Sequence, residues 1–306
     1  MDLMTKEVHI VPTTTHSRSA SAFFSDIKSL VKGPVLIANV LPVFAGYWLA
    51  LHFSGMTLAG NWVVFWLTMI GSTFLMAGAL VMNNWFDSDI DTFMERTKQR
   101  PTVTGSFALK TVLNIGLGLS GVGMSLLLFT TMEAAIYAFI GWFTYVIPYT
   151  MWSKRKYTLN TVIGSVSGAV TPLIGWAAVM SANHIVPIVL FSILFIWQMP
   201  HTFAIAMKKY DEYKAANVAM LPVVRGFDFT KRQMLIYVLC LLPMPFLLPM
   251  FGTAFIVIAT LMNVGYIAAS VYGFYAKDNH KWAHMMFLYS VNYMTLLFMM
   301  MILWTF

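Results

Sequence analysis

A chain of 306 residues that is 59% hydrophobic and only 10% charged lies far from the roughly 25% charged composition of soluble domains, which excludes an ordinary soluble protein and indicates a polytopic membrane protein. The net charge of +7 would suit nucleic acid in a soluble chain, but in a membrane protein it reports the bias of Lys and Arg toward cytoplasmic loops. The single cysteine, Cys240, lies in an apolar run and leaves neither an intrachain disulfide nor a thiolate cluster.

Residues 1–33 are polar and mixed in charge, and read as a cytoplasmic N-terminal tail without the charged, apolar and cleavable order of a secretory signal; its acids argue against a mitochondrial transit peptide and favour a bacterial membrane. His9 and His16 are tail residues. Residues 34–306 form one transmembrane domain, all-α, with nine apolar runs long enough to cross a bilayer at 34–53, 61–83, 108–130, 133–152, 159–180, 184–207, 233–251, 254–275 and 285–305. The connections alternate. Those near 54–60, 131–132, 181–183 and 252–253 hold no Lys or Arg, whereas the tail and the other loops hold all 19. By the positive-inside rule the tail and those loops face the cytoplasm, and an odd number of spans puts Phe306 on the opposite side. A nucleic-acid surface would not be divided among five segments in register with membrane crossings.

The second span ends in NNWFDSDIDTFMERTKQRP, Asn83 to Pro101. On a helix Asn83, Asp87 and Asp91 follow at steps of four, each turning about 40° and rising about 6 Å, so they share one stripe while Asp89 points away. Carboxylates one turn apart repel unless a cation lies between them. Magnesium suits such a place: it takes one or two protein carboxylates, keeps water and completes its shell with phosphate oxygens. Arg96, Lys98 and Arg100 then fit the remaining phosphate charge. The alternative is an acidic and basic cluster that only solvates a loop beside the membrane.

Span five, NTVIGSVSGAVTPLIGW, is rich in small residues. Gly164 and Gly168 have the spacing that lets membrane helices approach closely, and Pro172 and Gly175 suit a bend. Span six places Gln198 and His201 inside an apolar helix, where polar groups mark a site or a satisfied hydrogen-bond network. Lys208, Lys209, Tyr210, Asp211, Glu212, Tyr213 and Lys214 follow it. Asp211 is a candidate second metal carboxylate, and Lys208 and Lys214 are candidate phosphate contacts or interfacial anchors. Lys154, Arg155 and Lys156 read first as an orientation signal and second as anion contacts. His280 and His284 are four apart but have no evident third ligand.

At these residues the chain resembles the UbiA superfamily of intramembrane prenyltransferases, and within it the heme O synthases. The superfamily pattern N-x-x-x-D-x-x-x-D is matched by Asn83, Asp87 and Asp91; the narrower likeness extends through NTVIGSVSGAVTPLIGW, WQMPHTFAIAM and DEYKAANVAMLPVV. The resemblance implies nine helices around a central cavity that opens laterally to lipid, and transfer of a farnesyl group from farnesyl diphosphate to a heme b vinyl group, with water, giving heme O. It further implies Mg2+ held by Asn83, Asp87, Asp91 and Asp211, with Arg96, Lys98, Arg100, Lys154, Arg155, Lys208 and Lys214 available to diphosphate or heme propionate. Gln198 and His201 would meet the acceptor, and a heme A synthase would act downstream. Trp85, Phe86, Tyr145 and Trp197 are candidates to steady an allylic cation.

Two departures stand out. Ala215 occupies the place of the last acid in a second D-x-x-x-D, and Asn217, Val218 and Ala219 replace a Gly-Ile-Pro, for which an altered loop conformation is expected. A quinone or other aromatic acceptor remains the nearest alternative, and a secondary transporter the alternative of another class.

Overall fold

The computed structural model describes residues 20–306, with backbone alone at 20–23; the expected tail lies outside the described residues up to residue 19, His9 and His16 included. Among the described residues there are twelve α-helices and no strand: α1 Ala20–Leu30, α2 Gly33–Ser54, α3 Trp62–Phe86, α4 Leu109–Leu128, α5 Met132–Thr144, α6 Asn160–Ala169, α7 Thr171–Ala177, α8 Ile185–Lys208, α9 Tyr210–Ala215, α10 Leu221–Leu241, α11 Gly252–Tyr272 and α12 Asn279–Leu303. A π-helix, Tyr145–Ser153, continues α5. The last part of the expected tail is therefore helical, and Leu30 is buried with Val81 and Val112.

Seven segments are helices long and apolar enough to cross a bilayer: 33–54, 62–86, 109–128, 132–153, 185–208, 249–272 and 279–303. Their outward faces carry exposed Val63, Phe129, Leu261 and Leu303, an arrangement stable only against lipid. The other two expected runs differ. The run at 159–180 breaks at Val170 into α6 and α7, with Pro172 in the first turn of α7, because proline has no N–H to continue a ladder and restricts the residue before it. The run expected at 233–251 begins earlier, at Leu221, includes the charged residues Arg225, Asp228, Lys231 and Arg232, and is interrupted at Gly226, φ 79°. Beyond Leu241, Pro243, Pro245 and Pro249 turn the chain into 3₁₀ segments.

Successive segments pack side by side, from α2 on α3 through α4, α5, α6, α8, α10 and α11 to α12, and α12 returns to α2. The ring closes at one end, where Trp48 Nε1 donates to Thr305 Oγ1 at 2.9 Å and the rings of Trp48 and His52 meet those of Phe306 and Trp304 at 5.6 and 5.3 Å. Inside the ring lies α7. All of its residues are buried, and it touches α2, α3, α5 and α8, so it fills the half of the bundle remote from the acidic motif.

Small residues make that filling possible. A Cβ at Gly46 would lie 2.1 Å from the Pro172 carbonyl oxygen and one at Gly175 would lie 1.9 Å from that of Val43, so α2 and α7 meet backbone to backbone. Gly164 and Gly168 act differently from the helix-approach role expected of them: a Cβ there would strike the Tyr149 ring at 2.8 Å and Gln198 Oε1 at 2.4 Å. They make room for side chains at a cavity wall.

Gly46→Ala is expected to lower stability by about 1–3 kcal/mol through forced separation of the two backbones, whereas Gly118→Ala, with open space around it, leaves stability unchanged or slightly raised. Thermal unfolding in detergent followed by size-exclusion fluorescence measures both; equal melting points would contradict the packing argument.

Candidate active site

The α3 helix ends at Phe86, yet its ladder does not stop there. Asp87 N–H donates to the Asn83 carbonyl and Asp91 N–H to that of Asp87, both at 2.9 Å, so the four-residue spacing survives although Asp91 lies in a 3₁₀ turn, Ile90–Phe93. Asn83, Asp87 and Asp91 are 2, 0 and 3% exposed. Asn83 Nδ2 donates to Asp87 Oδ2 at 2.8 Å and to Thr150 Oγ1 at 3.1 Å. Asp89 points away, as its phase predicts, and is exposed.

Two buried carboxylates require compensating cations, and three basic side chains supply them, with a fourth, Lys32, on the neighbouring amide. The Lys154 ammonium bonds Asp87 Oδ2, and Lys32 bonds Asn83 Oδ1. Arg100 NH1 meets Asp91 Oδ2 at 2.5 Å. Arg155 grips Asp89 with two bonds of 2.8 Å, reaches the Phe86 carbonyl at 2.9 Å and lies 3.6 Å from Asp87 Oδ1. Burial works against each charge. For Lys154 burial is the largest single influence, but the charge and hydrogen bond of Asp87 together with the neighbouring Tyr149 and Tyr145 outweigh it and hold the ammonium above the ordinary lysine range. For Lys32 burial dominates, reinforced by Arg100 and Lys154, and its pKa falls below the ordinary range. Asp89 is pushed up by burial but held lower by the Arg155 fork.

Beside this cluster lies a cavity of about 200 Å³. Its wall near the cluster is made by Val35, Tyr149, Thr161 and Gly164, with Gln198 and Thr202 from α8; its far end is made by Ser72, Leu75, Ala138, Thr171 and Ile174. The π-helix turns Tyr145 and Tyr149 onto it, ring centroids 5.5 Å apart. Such widened turns are frequent at functional sites, and Pro148 within this one removes a ladder donor.

Sequence-predicted residues divide accordingly. Asn83, Asp87, Asp91, Arg100, Lys154 and Arg155 come together, and Gln198 lines the cavity, its Nε2 donating to the Ser165 and Leu194 carbonyls at 3.1 and 3.0 Å. Arg96 and Lys98 are exposed, Lys98 paired with Glu95 at 2.5 Å. Asp211 and Lys214 are exposed on α9, with Lys214 over the Tyr210 ring at 5.6 Å. Among the described residues no three His, Cys, Asp or Glu side chains form one metal-holding group, so Asp211 is not joined to Asp87 and Asp91. Its segment does approach: Ile90 and Met94 pack with Ala206, Ala216, Val218 and Met220.

Lys208 turns instead to α12, 2.8 Å from His284 Nδ1 and over the Phe287 ring at 4.7 Å. His201 faces the same way, its Nδ1 2.7 Å from Ser290 Oγ and its ring stacked 4.6 Å from Trp197; it is not among the cavity-lining residues. Of the four candidate cation-steadying aromatics only Tyr145 lines the cavity. Trp85 packs beside Leu30, Phe86 lies under Arg155, and Trp197 donates to the Ser290 carbonyl.

Lys32, Thr150 and Tyr149 are neighbours of the cluster and its cavity that spacing does not reveal. Lys32 lies in the α1–α2 corner with φ 50°, and Asn84 Nδ2 fastens that corner by donating to the Leu30 carbonyl at 2.6 Å. Asn217, where an altered loop was expected, takes φ 50°, the left-handed region that glycine occupies freely and asparagine tolerates.

With that geometry established, similarity to known proteins is informative. Residues 39–291 match the UbiA prenyltransferase family. The chain belongs to that family. It is 54% identical to the protoheme IX farnesyltransferase of Oceanobacillus iheyensis over 92% of this chain and 90% of that relative. Its fold is similar to that of digeranylgeranylglyceryl phosphate synthase, with TM-score 0.72 at 19% identity over 92% of this chain and 98% of the other. It is also similar to a UbiA homologue from Archaeoglobus fulgidus bound to GPP and Mg2+, with TM-score 0.67 at 13% identity over 90% of this chain and 99% of the other. The protein is thus a membrane prenyltransferase of UbiA fold.

Asp91 and Arg100 offer a direct test of the cluster's electrostatics. Arg100→Leu is expected to destabilise the protein by about 3–5 kcal/mol by leaving a buried carboxylate uncompensated, and adding Asp91→Leu to recover most of that loss. Melting of the two variants in detergent measures the difference; equal melting would mean that Asp91 finds its counter-charge elsewhere.

Proposed function

We propose that the protein is a protoheme IX farnesyltransferase, joining farnesyl diphosphate to heme b with water to give heme O and diphosphate. The observation that carries the reaction type is the buried Asn83–Asp87–Asp91 cluster, ringed by Lys32, Arg100, Lys154 and Arg155, beside a half-enclosed cavity. The relative from O. iheyensis supports heme as the acceptor.

The donor set fits Mg2+. Asp87 Oδ1 is buried with no hydrogen-bond partner, and an amide oxygen with two carboxylates leaves coordination positions for phosphate oxygens and water. Asn83, Asp87 and Asp91 would hold the ion, which supplies Lewis-acid stabilisation of the negative charge that grows on the departing diphosphate. Asp211, exposed on α9, would join only through movement of its segment.

The protein's own groups do the rest. Lys154 and Arg100 neutralise the carboxylates and Lys32 bonds the Asn83 amide oxygen in the structure described here, and their donors are free to turn to phosphate oxygens once Asn83 and the carboxylates hold another cation. Arg155, tied to Asp89, serves as a fixed positive wall. The allylic C–O bond breaks, the heme vinyl carbon bonds to farnesyl C1, and water adds to the resulting benzylic-type cation with loss of a proton. Tyr145 and Tyr149 present ring faces that steady positive charge, and the apolar wall delays water until the carbon–carbon bond has formed. His201, oriented by Ser290, is the proposed heme iron contact, which requires the acceptor to approach along the α8–α12 seam. The N-terminus and the cluster face the cytoplasm, Phe306 the opposite side, in a bacterial plasma membrane. The heme O product suits a heme A synthase downstream.

Purified protein in lipid, given farnesyl diphosphate, heme b and Mg2+, is expected to yield a heme carrying a hydroxyethylfarnesyl group by mass analysis, and chelation of the metal to abolish it. Asp87→Asn and Asp91→Asn are each expected to lower turnover at least about a hundredfold while inserting normally. Full turnover in both would remove the metal–diphosphate assignment, and prenylation of a quinone precursor with heme unchanged would replace the acceptor. His201→Ala is expected to weaken heme binding measured by the Soret band; unchanged affinity would leave His201 a packing residue.

A further inference from the structure

Resting on the prenyl-transfer reading, the geometry points to the first turn of α7 as a gauge of prenyl-chain length, with Ile174, Ala138 and Ser72 as the residues that set it. The cavity does not pass through the bundle. On α3 its last lining residue is Ser72, on α5 Ala138 and on α7 Ile174. The next residues toward the far face, Thr68 and Met69 on α3, Ala134 and Ala135 on α5, and Trp176 and Ala177 on α7, are all buried and do not line it.

The floor follows from the break at Val170. A straight fifth helix would run along the ring, whereas α7 is seated inside it, locked by the backbone contacts of Gly46 and Gly175 with Pro172 and Val43. From Asn83 to Ser72 is eleven residues of one helix, a descent of about 16 Å at 1.5 Å per residue, comparable with an extended chain of three isoprene units. Two of the three floor side chains are small. Ser72 lines the cavity, is 1% exposed, and has a buried Oγ without a hydrogen-bond partner; Ala138 is 1% exposed. A larger side chain at either place would occupy the space for the last isoprene unit, and a smaller one at 174 would open space for another. Because an apolar pocket discriminates by about tenfold or more per added carbon that does not fit, each change alters selectivity more than it alters the chemistry at the cluster.

The test is competition. Wild type, Ala138→Leu, Ser72→Leu and Ile174→Ala, each in lipid with heme b and Mg2+, receive equimolar geranyl, farnesyl and geranylgeranyl diphosphates, and the prenylated hemes are counted by mass. Wild type is expected to favour the farnesyl product. Ala138→Leu and Ser72→Leu are expected to shift the geranyl-to-farnesyl product ratio at least about tenfold toward geranyl, and Ile174→Ala to raise the geranylgeranyl share by a similar factor. Unchanged product ratios in the variants that remain folded by melting would overturn the gauge, as would a uniform loss for all three lengths. Ile174→Ala removes atoms and introduces no clash, so it decides the matter where the larger side chains do not fold. Absence of prenylated heme from wild type with every diphosphate would instead overturn the heme acceptor itself, leaving the two failures distinct.

Discussion

Two carboxylates with almost no contact with solvent, at the edge of an apolar bundle, are the constraint on which the rest of this structure depends. Burial of an unpaired carboxylate is prohibitive, so Asp87 and Asp91 can remain charged only if basic groups reach them from elsewhere in the chain. They do so from separate segments: Arg100 from the loop after α3, and Lys154 and Arg155 from the end of the π-helix, while Lys32, from the corner before α2, bonds the Asn83 amide oxygen. The ion pairs hold the second and fourth crossings in register at one end of the bundle, the Lys32–Asn83 hydrogen bond ties in the first, and the same groups form a nest suited to a polyanion. Charge compensation and the candidate site thus draw on one set of side chains.

The uncharged cavity beside the cluster is the complementary half of the design. Leaving-group departure needs concentrated charge, while the cation left behind needs the absence of nucleophilic water. The structure places these environments within one helix of each other: Asn83 belongs to the charged cluster and Ala79, Leu80 and Met76, a turn or two away on α3, line the cavity. Tyr145 and Tyr149 lie between the two, where the chain changes from α to π geometry.

Much of this is legible in the sequence. Four-residue spacing from Asn83 through Asp91 identifies the cluster, and apolar runs with alternating charge in their connections give the helical membrane architecture. What is not legible depends on contacts between distant segments. Lys32 resembles any tail lysine until Asn84 and Leu30 fold its corner onto α3. Lys208, His201 and Gln198 read alike as site residues by composition, and only the phase of α8 shows that the first two face α12 while Gln198 and Thr202 take the cavity face. Gly164 and Gly168 match a helix-approach spacing, yet the neighbours they accommodate are a tyrosine ring and a glutamine amide. Pro172 announces a break in the fifth run; that its second half lies inside the ring follows only from the Gly46 and Gly175 contacts.

The buried α7 has a consequence for the membrane itself. A polar-walled cavity open to both faces would be a water path, and water paths in a bilayer carry protons. By filling the far half of the ring with the buried side chains of Leu173, Ile174, Trp176 and Ala177, α7 closes the cavity on the side away from the charged cluster, so the bundle offers water and protons no straight route across.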